Sequence, residues 1–254
     1  MRFVDLFCGI GGFHAALSQL GHECVFACDA DAEAAKMYER NFGISAHFDI
    51  RDCKNLPDFE ILCAGFPCQP FSKSGAQQGF NDQTRGTLFH DIMRIVRESE
   101  PKILLLENVP NLETHDDGNT FEIIKALIQE EGYQFTSSIL SPHDFGTPQI
   151  RKRLYMVAIK DDICQKEKFQ FPNGLKGKTN VKTILDKKKS VDKKYYLAKD
   201  EIEILNQWNY FIQNLNTDKK PPSPTWSQDF GRHYPLEKIH PITKPWGIIG
   251  RDLK

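Results

Sequence analysis

A cysteine lies in a stiff turn that directly follows a short apolar run. The segment Gly65-Phe-Pro-Cys-Gln-Pro-Phe-Ser72 comes after Ile61 to Ala64. Prolines hold Phe66 and Gln69 out of helical geometry, because a residue before proline is pushed towards extended conformations. Cys68 is therefore a candidate reactive thiol at the end of a strand. A buried structural thiol, the usual state of a free cysteine, is the alternative.

A carboxyl and two arginines stand at the ends of other apolar runs. Glu107 ends Leu104-Leu-Leu-Glu107, where removal from water favours the protonated acid over the carboxylate. Arg151 and Arg153 immediately precede the run that begins at Leu154, and a guanidinium there can fork onto a base oxygen or a phosphate. A loop-capping glutamate and surface ion pairs are the alternatives.

A glycine turn near the start is typical of a nucleotide-like ligand site. Asp5-Leu-Phe-Cys-Gly-Ile-Gly-Gly-Phe13 joins a predicted strand to a predicted helix, and glycine lets the backbone approach a ligand closely. Asp29, twenty residues after Gly9, is placed to accept hydrogen bonds from ribose hydroxyls. Taken alone, Gly11 and Gly12 indicate a structural turn equally well.

One position of this turn disfavours a nicotinamide dehydrogenase. A dinucleotide fingerprint has a glycine or alanine three residues after its second glycine, and this chain has His14 there. A smaller adenosine ligand is the better interpretation. Phe7 is available to stack on it, and Asp49 can accept from an exocyclic amine.

Buried strands alternate with helical stretches over the first 160 residues. Their apolar runs do not alternate with polar residues, as expected for strands covered on both faces. We therefore predict an α/β fold with a doubly wound, mostly parallel sheet. The expected strands are Phe3 to Phe7, Cys24 to Cys28, Ile61 to Ala64, Ile103 to Leu106 and Leu154 to Ile159.

Composition excludes several classes of protein. The 254 residues carry 33 Lys and Arg against 34 Asp and Glu with 40% hydrophobic residues, which is typical of a globular chain and not of a disordered or fibrous one. No apolar run reaches the roughly 18 residues of a membrane helix, and no signal peptide is recognised. A cytoplasmic protein without a membrane partner is expected. Its seven cysteines should be reduced, and no metal is expected, since Cys24/Cys28 and Cys63/Cys68 lack a second ligand pair.

Four motifs in this order resemble the DNA (cytosine-5) methyltransferase family of bacterial restriction-modification systems. They are the glycine turn, the turn around Cys68, Glu107-Asn-Val and Gln149-Ile-Arg-Lys-Arg153. The segments Arg85-Gly-Thr-Leu-Phe-His-Asp-Ile and His115-Asp-Asp-Gly-Asn also match. The resemblance covers residues 1 to about 160, and it implies a Rossmann-like methyltransferase fold with S-adenosyl-L-methionine as the methyl donor.

The resemblance also implies a mechanism on double-stranded DNA. Cys68 would add to C6 of a cytosine swung out of the duplex, Glu107 would hold N3, Arg153 would hold O2 and Arg151 would support the pocket. Ala30 departs from the family pattern, which often has a large aromatic residue there. The implied donor contacts are Phe7, Gly9, Gly11, Gly12, Asp29, Asp49, Ile50, Pro67 and Leu88. The implied DNA-binding loop contains Ser72, Ser74, Gly75, Gln77 and Arg85.

The later part of the chain differs in composition. Residues 176–199 hold nine lysines against two aspartates, and many prolines follow an amphipathic stretch from Ile202 to Leu215. We predict a donor-binding catalytic domain over 1–172, then a basic linker and a partial target-recognition region over 173–254. The family's later motifs are not recognised after residue 160. The chain is therefore expected to be either a truncated product or one half of a split enzyme whose second polypeptide supplies them, and the isolated chain is expected to be poorly active. A non-catalytic donor-binding or regulatory half is the alternative, disfavoured because Cys68 and Glu107 are both present.

Overall fold

The protein is described here from a computed structural model, which covers residues 1–67, 88–163, 169–175, 179–187 and 190–214. The chain divides into two units, residues 1–184 and residues 185–254. The functional boundary after residue 172 remains a prediction.

A six-stranded sheet forms the centre of the first unit. Its spatial order is β2-β1-β3-β4-β6-β5, with β1 parallel to β2 and β3, and β3 parallel to β4. Strand β6 runs antiparallel to both β4 and β5. The strands are β1 (Arg2–Leu6), β2 (Glu23–Cys28), β3 (Ile61–Ala64), β4 (Ile103–Asn108), β5 (Tyr133–Leu140) and β6 (Arg153–Lys160). The predicted mostly parallel α/β sheet is confirmed.

Strand β5 was not predicted from the sequence. The polar run Thr136-Ser-Ser138 interrupts its apolar residues. β5 lies at the edge of the sheet, where a strand pairs with a neighbour on one side only and its side chains are less buried. The antiparallel direction of β6 also has no signal in its own residues.

Helices cover both faces of the sheet, as a doubly wound fold requires. On one face, Val4, Leu62 and Leu104 pack in one core cluster with apolar residues of α3 and α4. On the other face, Phe3 and Ile61 pack with Leu17 of α1. The helices of this unit are α1 (Gly12–Gln19), α2 (Ala32–Phe42), α3 (Leu88–Ser99) and α4 (Asn119–Glu130).

The second unit contains helix α5 (Lys199–Asn214), at the position predicted from the amphipathic stretch that begins at Ile202. Within the described parts of the chain, none of the helices has both the length and the apolar character needed to cross a bilayer.

Candidate active site

The glycine turn is held in a conformation that ordinary side chains resist. Phe7, Gly9 and Gly11 all have positive φ, at 54°, 53° and 94°. A Cβ atom at Gly11 would also overlap the ring of Phe42, so glycine is required there for two independent reasons. Helix α1 begins at the next residue, and no side chain caps its start. Apart from the His14 amide, which faces the Asp5 carboxyl, the first amides of α1 therefore remain available to a ligand at the helix N-terminus.

Asp29 ties this turn to the end of β2. Its Oδ2 atom accepts a hydrogen bond of 2.8 Å from the Gly9 amide, and its Oδ1 atom accepts one of 2.9 Å from the Asp31 amide. An ionised carboxylate has about four acceptor positions, so two remain for a ligand. The half-buried side chain is thus fixed in orientation before any ligand binds.

His14 has a packing role. Its ring stacks on Phe42 with centroids 3.9 Å apart, and its Nδ1 atom is hydrogen-bonded to the Tyr38 hydroxyl at 2.6 Å. Burial lowers the pKa of His14, which favours the neutral ring. The residue that departs from the dinucleotide fingerprint therefore joins α1 to α2.

Asp49 and Ile50 lie beside the end of β2. The Asp49 carboxylate accepts from the Arg51 amide and guanidinium, with Nη2 at 2.5 Å, and these bonds lower the pKa of Asp49 to about 2. The segment before Asp49 pairs with Asp29 through a bond of 2.8 Å from the Asp29 amide to the Ala46 carbonyl. Ile50 is buried in the core. Asp49 and Ile50, two predicted donor contacts, are therefore brought near Asp29 by this pairing of backbone segments.

Asp5 is a buried carboxyl beneath the glycine turn. Among the described residues, neither of its oxygens has a partner in full hydrogen-bonding geometry, and the His14 amide makes only a weaker polar contact with the carboxyl. Burial raises the pKa of Asp5 to about 8, the His14 amide opposes this rise, and the Asp29 charge adds to it. The side chain is therefore neutral at moderate pH, which the sequence alone did not indicate.

Glu107 and Arg153 form an ion pair at the same edge of the sheet. Arg153 Nε lies 2.8 Å from Glu107 Oε1, with the two side chains 20% and 26% exposed. A Cβ atom at Gly65 would lie 3.6 Å from Glu107 Oε2 and 3.7 Å from the Phe7 carbonyl oxygen. Gly65 therefore lies between the glycine turn and the ion pair, three residues before Cys68.

Asn108 is a site residue that the sequence analysis did not single out. Its buried side chain donates a 2.9 Å hydrogen bond to the Phe66 carbonyl and accepts one of 2.8 Å from the Val109 amide. The ring of Phe66 packs against Phe89. Asn108 thus fixes the backbone at Phe66, directly before Pro67, which is exposed. Its position beside Glu107 in the motif was the available signal.

Arg151 is positioned through its backbone. Its amide donates a 3.0 Å hydrogen bond to the buried Ser141 hydroxyl, which is also 3.0 Å from His143 Nδ1. Its side chain is exposed, so the structure brings Arg153, and not Arg151, against Glu107.

Leu88, a predicted donor contact, begins α3 and is half-buried. Several other predicted residues lie outside the described part of the chain. Within the described ranges, no group of three or more His, Cys, Asp or Glu side chains is arranged to hold a metal ion. The predicted residues outside those ranges are Cys68, Ser72, Ser74, Gly75, Gln77 and Arg85.

Comparison with known sequences gives consistent matches. The profile of the C-5 cytosine-specific DNA methylase family matches residues 1–228. Type II methyltransferase M.HhaI of Haemophilus parahaemolyticus is 48% identical over 187 residues, which are 73% of this chain and 57% of that protein. M.SsoII of Shigella sonnei is 47% identical over 201 residues, or 78% of this chain and 52% of that protein. The chain thus spans little more than half the length of these two relatives.

A relative that covers more of the chain and a solved structure also match. Type II methyltransferase M.NgoBI of Neisseria gonorrhoeae is 39% identical over 234 residues, covering 91% of this chain and 69% of that protein. The structure of DNMT2 from Spodoptera frugiperda has a TM-score of 0.61 at 22% identity, over 83% of this chain and 65% of that one. The latter likeness supports the Rossmann-like fold. Since the family profile spans most of the residues, the chain belongs to the C-5 cytosine-specific DNA methylase family.

Proposed function

We propose that this chain carries the catalytic part of a restriction-modification DNA methyltransferase that methylates C5 of cytosine in double-stranded DNA. The observation that carries the proposal is the Glu107–Arg153 ion pair, which lies beside Gly65 and so brings two of the predicted catalytic residues together. Family membership supplies the reaction class.

The donor side fits S-adenosyl-L-methionine. Asp29 keeps two acceptor positions that suit the two hydroxyls of a ribose, and the uncapped start of α1 leaves amide donors nearby. Phe7, Gly9, Gly11, Gly12, Asp49, Ile50, Pro67 and Leu88 are the further proposed contacts. When bound, the donor supplies an electrophilic methyl group.

The acceptor chemistry requires a nucleophile because C5 of cytosine attacks a methyl group poorly. We assign this role to Cys68, whose sulfur forms a bond to C6 and makes C5 an enamine carbon. C5 then takes the methyl group, a base removes the C5 proton, and the Cys68 sulfur leaves as the C5–C6 double bond returns.

Glu107 and Arg153 stabilise the ring during this addition. Electron density moves onto the N3 and O2 region when sulfur adds to C6. Glu107 is proposed to leave its ion pair with Arg153 as the base enters, to take up a proton and to donate a hydrogen bond to N3. Arg153 holds the Glu107 side chain in the free protein and offers its remaining guanidinium donors to O2. Arg151 supports the pocket from the segment fixed by Ser141.

The cytosine must leave the duplex to meet these groups, as it does for methyltransferases in general. The loop that includes Ser72, Ser74, Gly75, Gln77 and Arg85 is proposed to close over the extruded base and the DNA. We also propose that target recognition needs residues supplied by a second polypeptide.

Transfer of a labelled methyl group from the donor to duplex DNA tests the function. Digestion of the DNA to nucleosides should yield labelled 5-methylcytosine when a recognition half from a relative is supplied, and little when the chain is alone. Label in adenine, or none in the presence of such a half, would overturn the proposal. Donor binding measured by calorimetry without any transfer would favour the non-catalytic alternative.

A further inference from the structure

A hairpin loop brings Arg153 to the site. Leu140, the last residue of β5, pairs with Arg153, the first residue of β6, so residues 141–152 form the loop between two antiparallel strands. Arg153 meets Glu107 directly after this loop. The conformation of the loop therefore affects where the Arg153 side chain lies relative to Glu107.

The end of this loop is held by a side chain. The His143 amide donates a 3.1 Å hydrogen bond to the Gln149 carbonyl, which closes the middle of the loop through backbone groups. The Arg151 amide instead donates a 3.0 Å hydrogen bond to the Ser141 hydroxyl, and Ser141 is 2% exposed. The backbone two residues before Arg153 therefore depends on the orientation of one buried hydroxyl.

His143 orients this hydroxyl. Its Nε2 atom lies 3.0 Å from Asp144 Oδ1, and its Nδ1 atom lies 3.0 Å from the Ser141 oxygen. A carboxylate only accepts hydrogen bonds, so the hydrogen of a neutral His143 ring is on Nε2 and Nδ1 is an acceptor. The Ser141 hydroxyl then donates to Nδ1, which leaves the lone pairs of its oxygen for the Arg151 amide. All three contacts are satisfied at the same time.

Asp144 is fixed through its own backbone. Its amide donates a 3.0 Å hydrogen bond to the Ser141 carbonyl, and its carbonyl accepts one of 2.5 Å from the Leu175 amide. The His143 ring therefore lies between a carboxyl on a fixed backbone and a buried hydroxyl. The His143 side chain is 37% exposed, so it can be replaced without opening the buried core.

The order of Asp144, His143 and Ser141 is that of a hydrolase triad, but the environment of Ser141 does not suit a nucleophile. The Ser141 oxygen is buried and already accepts from the Arg151 amide. A substrate cannot reach it without breaking the contact that holds the loop. The three side chains therefore orient the backbone and do not attack a substrate.

We propose that His143 is a positioning residue for methyl transfer, and that it acts through the Ser141 hydroxyl on the segment from Arg151 to Arg153. The inference rests on the proposed function, because the group being aligned is the Arg153 guanidinium that is assigned to O2 of the cytosine. Loss of the Nδ1 contact frees the Ser141 hydroxyl to rotate, so the Arg151 amide loses a fixed acceptor. Arg153 then presents its donors to O2 less accurately, which lowers the rate of the chemical step.

Two amide substitutions separate the two contacts of His143. Asparagine places its amide near the position of Nδ1 and can accept from Ser141, whereas glutamine places its amide near Nε2 and keeps only the contact with Asp144. With a recognition half present, we expect single-turnover methyl transfer to fall by about 10- to 100-fold in His143→Gln and by less than about threefold in His143→Asn. Equal rates in the two variants would overturn the inference.

Donor calorimetry distinguishes positioning from a general loss of structure. Both variants should keep the affinity of the parent for S-adenosyl-L-methionine, because the proposed donor contacts lie on other segments. His22→Ala is the matched control, since His22 Nδ1 is also hydrogen-bonded, to the amino terminus at 3.2 Å, directly before β2. This variant should transfer methyl groups as the parent does. A parallel fall of donor affinity and transfer in His143→Gln would contradict a positioning role.

A double variant tests the route through Ser141. Ser141→Ala removes the acceptor of the Arg151 amide, so adding His143→Gln to Ser141→Ala should lower transfer no further. Additive losses would show that His143 acts by another route and would overturn the inference. A parent that transfers no methyl group contradicts the proposed function itself, whereas an active parent with unaffected His143 variants contradicts this inference alone.

Discussion

Asp29, after β2, is held by backbone amides, whereas Glu107, at the end of β4, is held by a side chain of β6. Asp29 accepts hydrogen bonds from the amides of Gly9 and Asp31, which lie within 20 residues of it in the sequence. Glu107 is instead fixed by the guanidinium of Arg153, which belongs to a strand that arrives 46 residues later. The two regions meet at Gly65, between Phe7 and Glu107.

This difference separates binding from chemistry. Backbone amides give the donor side a fixed shape before a ligand arrives, which suits recognition of an adenosine. The side-chain pair on the acceptor side can exchange its partner for a substrate base, which suits proton donation. Substitutions on the acceptor side should therefore lower turnover, and substitutions on the donor side should lower donor affinity.

The largest effect is expected for Glu107→Gln. The amide keeps the shape but cannot supply an acidic proton to N3, so turnover should fall by about 10²- to 10⁴-fold with donor affinity nearly unchanged. Single-turnover methyl transfer and donor calorimetry measure the two quantities. Glu122→Gln, an exposed glutamate paired with Lys125, is the control and should retain activity. An equal loss in both variants would remove Glu107 from the chemistry.

Asp29→Asn should show the opposite pattern. Loss of the charge that accepts from the Gly9 amide and the ribose should weaken donor binding by about 10- to 100-fold, with turnover largely restored at saturating donor. Exposed Asp58→Asn should leave affinity unchanged. Reduced turnover without a change in affinity would break the distinction between the two regions.

A stability effect is expected for Asp5→Asn. Because the pKa of Asp5 is raised from 3.8 to about 8, the folded state keeps a proton that the unfolded chain releases, and stability falls as pH rises from about 4 to about 8. The variant lacks this loss and should exceed the parent in free energy of unfolding by several kcal/mol at pH 9, since each pKa unit corresponds to about 1.4 kcal/mol, with little difference near pH 4. Urea unfolding at both pH values provides the measurement. A difference that does not depend on pH would show that Asp5 is ionised in the fold.

The smallest effect is expected for Arg51→Gln. The Arg51 side chain is 70% exposed, and ion pairs between such exposed side chains contribute little to stability, so donor affinity should fall less than about fivefold. High salt should reduce the difference between variant and parent. If Arg51→Gln weakened binding more than Asp29→Asn, Arg51 would itself contact the donor.

The same contrast explains what the sequence could predict. Gly9 and Gly11 have a local signal, because positive φ favours glycine at both positions. Asp29 has one in its spacing of twenty residues from Gly9. The largely apolar strands β1, β2, β3, β4 and β6 were predicted because their residues suit strands covered on both faces. Asn108 was not predicted, because its partner is a backbone carbonyl 42 residues away.

Long-range pairing accounts for the remaining differences. Nothing in the residues of β6 states that it enters the sheet antiparallel to β4, and it is this direction that places Arg153 beside Glu107. The burial of Asp5 also depends on neighbours from other segments. The residue types therefore identified the candidate site residues, while the sheet topology determined which of these side chains contact each other.

Covalent trapping on DNA that contains 5-fluorocytosine at the target position tests the central claim most directly. Fluorine cannot leave C5 as a proton does, so the bond from Cys68 to C6 should persist through denaturation. With donor and a recognition half present, we predict a denaturant-stable complex whose attached peptide contains Cys68, and no complex with Cys68→Ser. A complex formed equally well by Cys68→Ser would contradict the account.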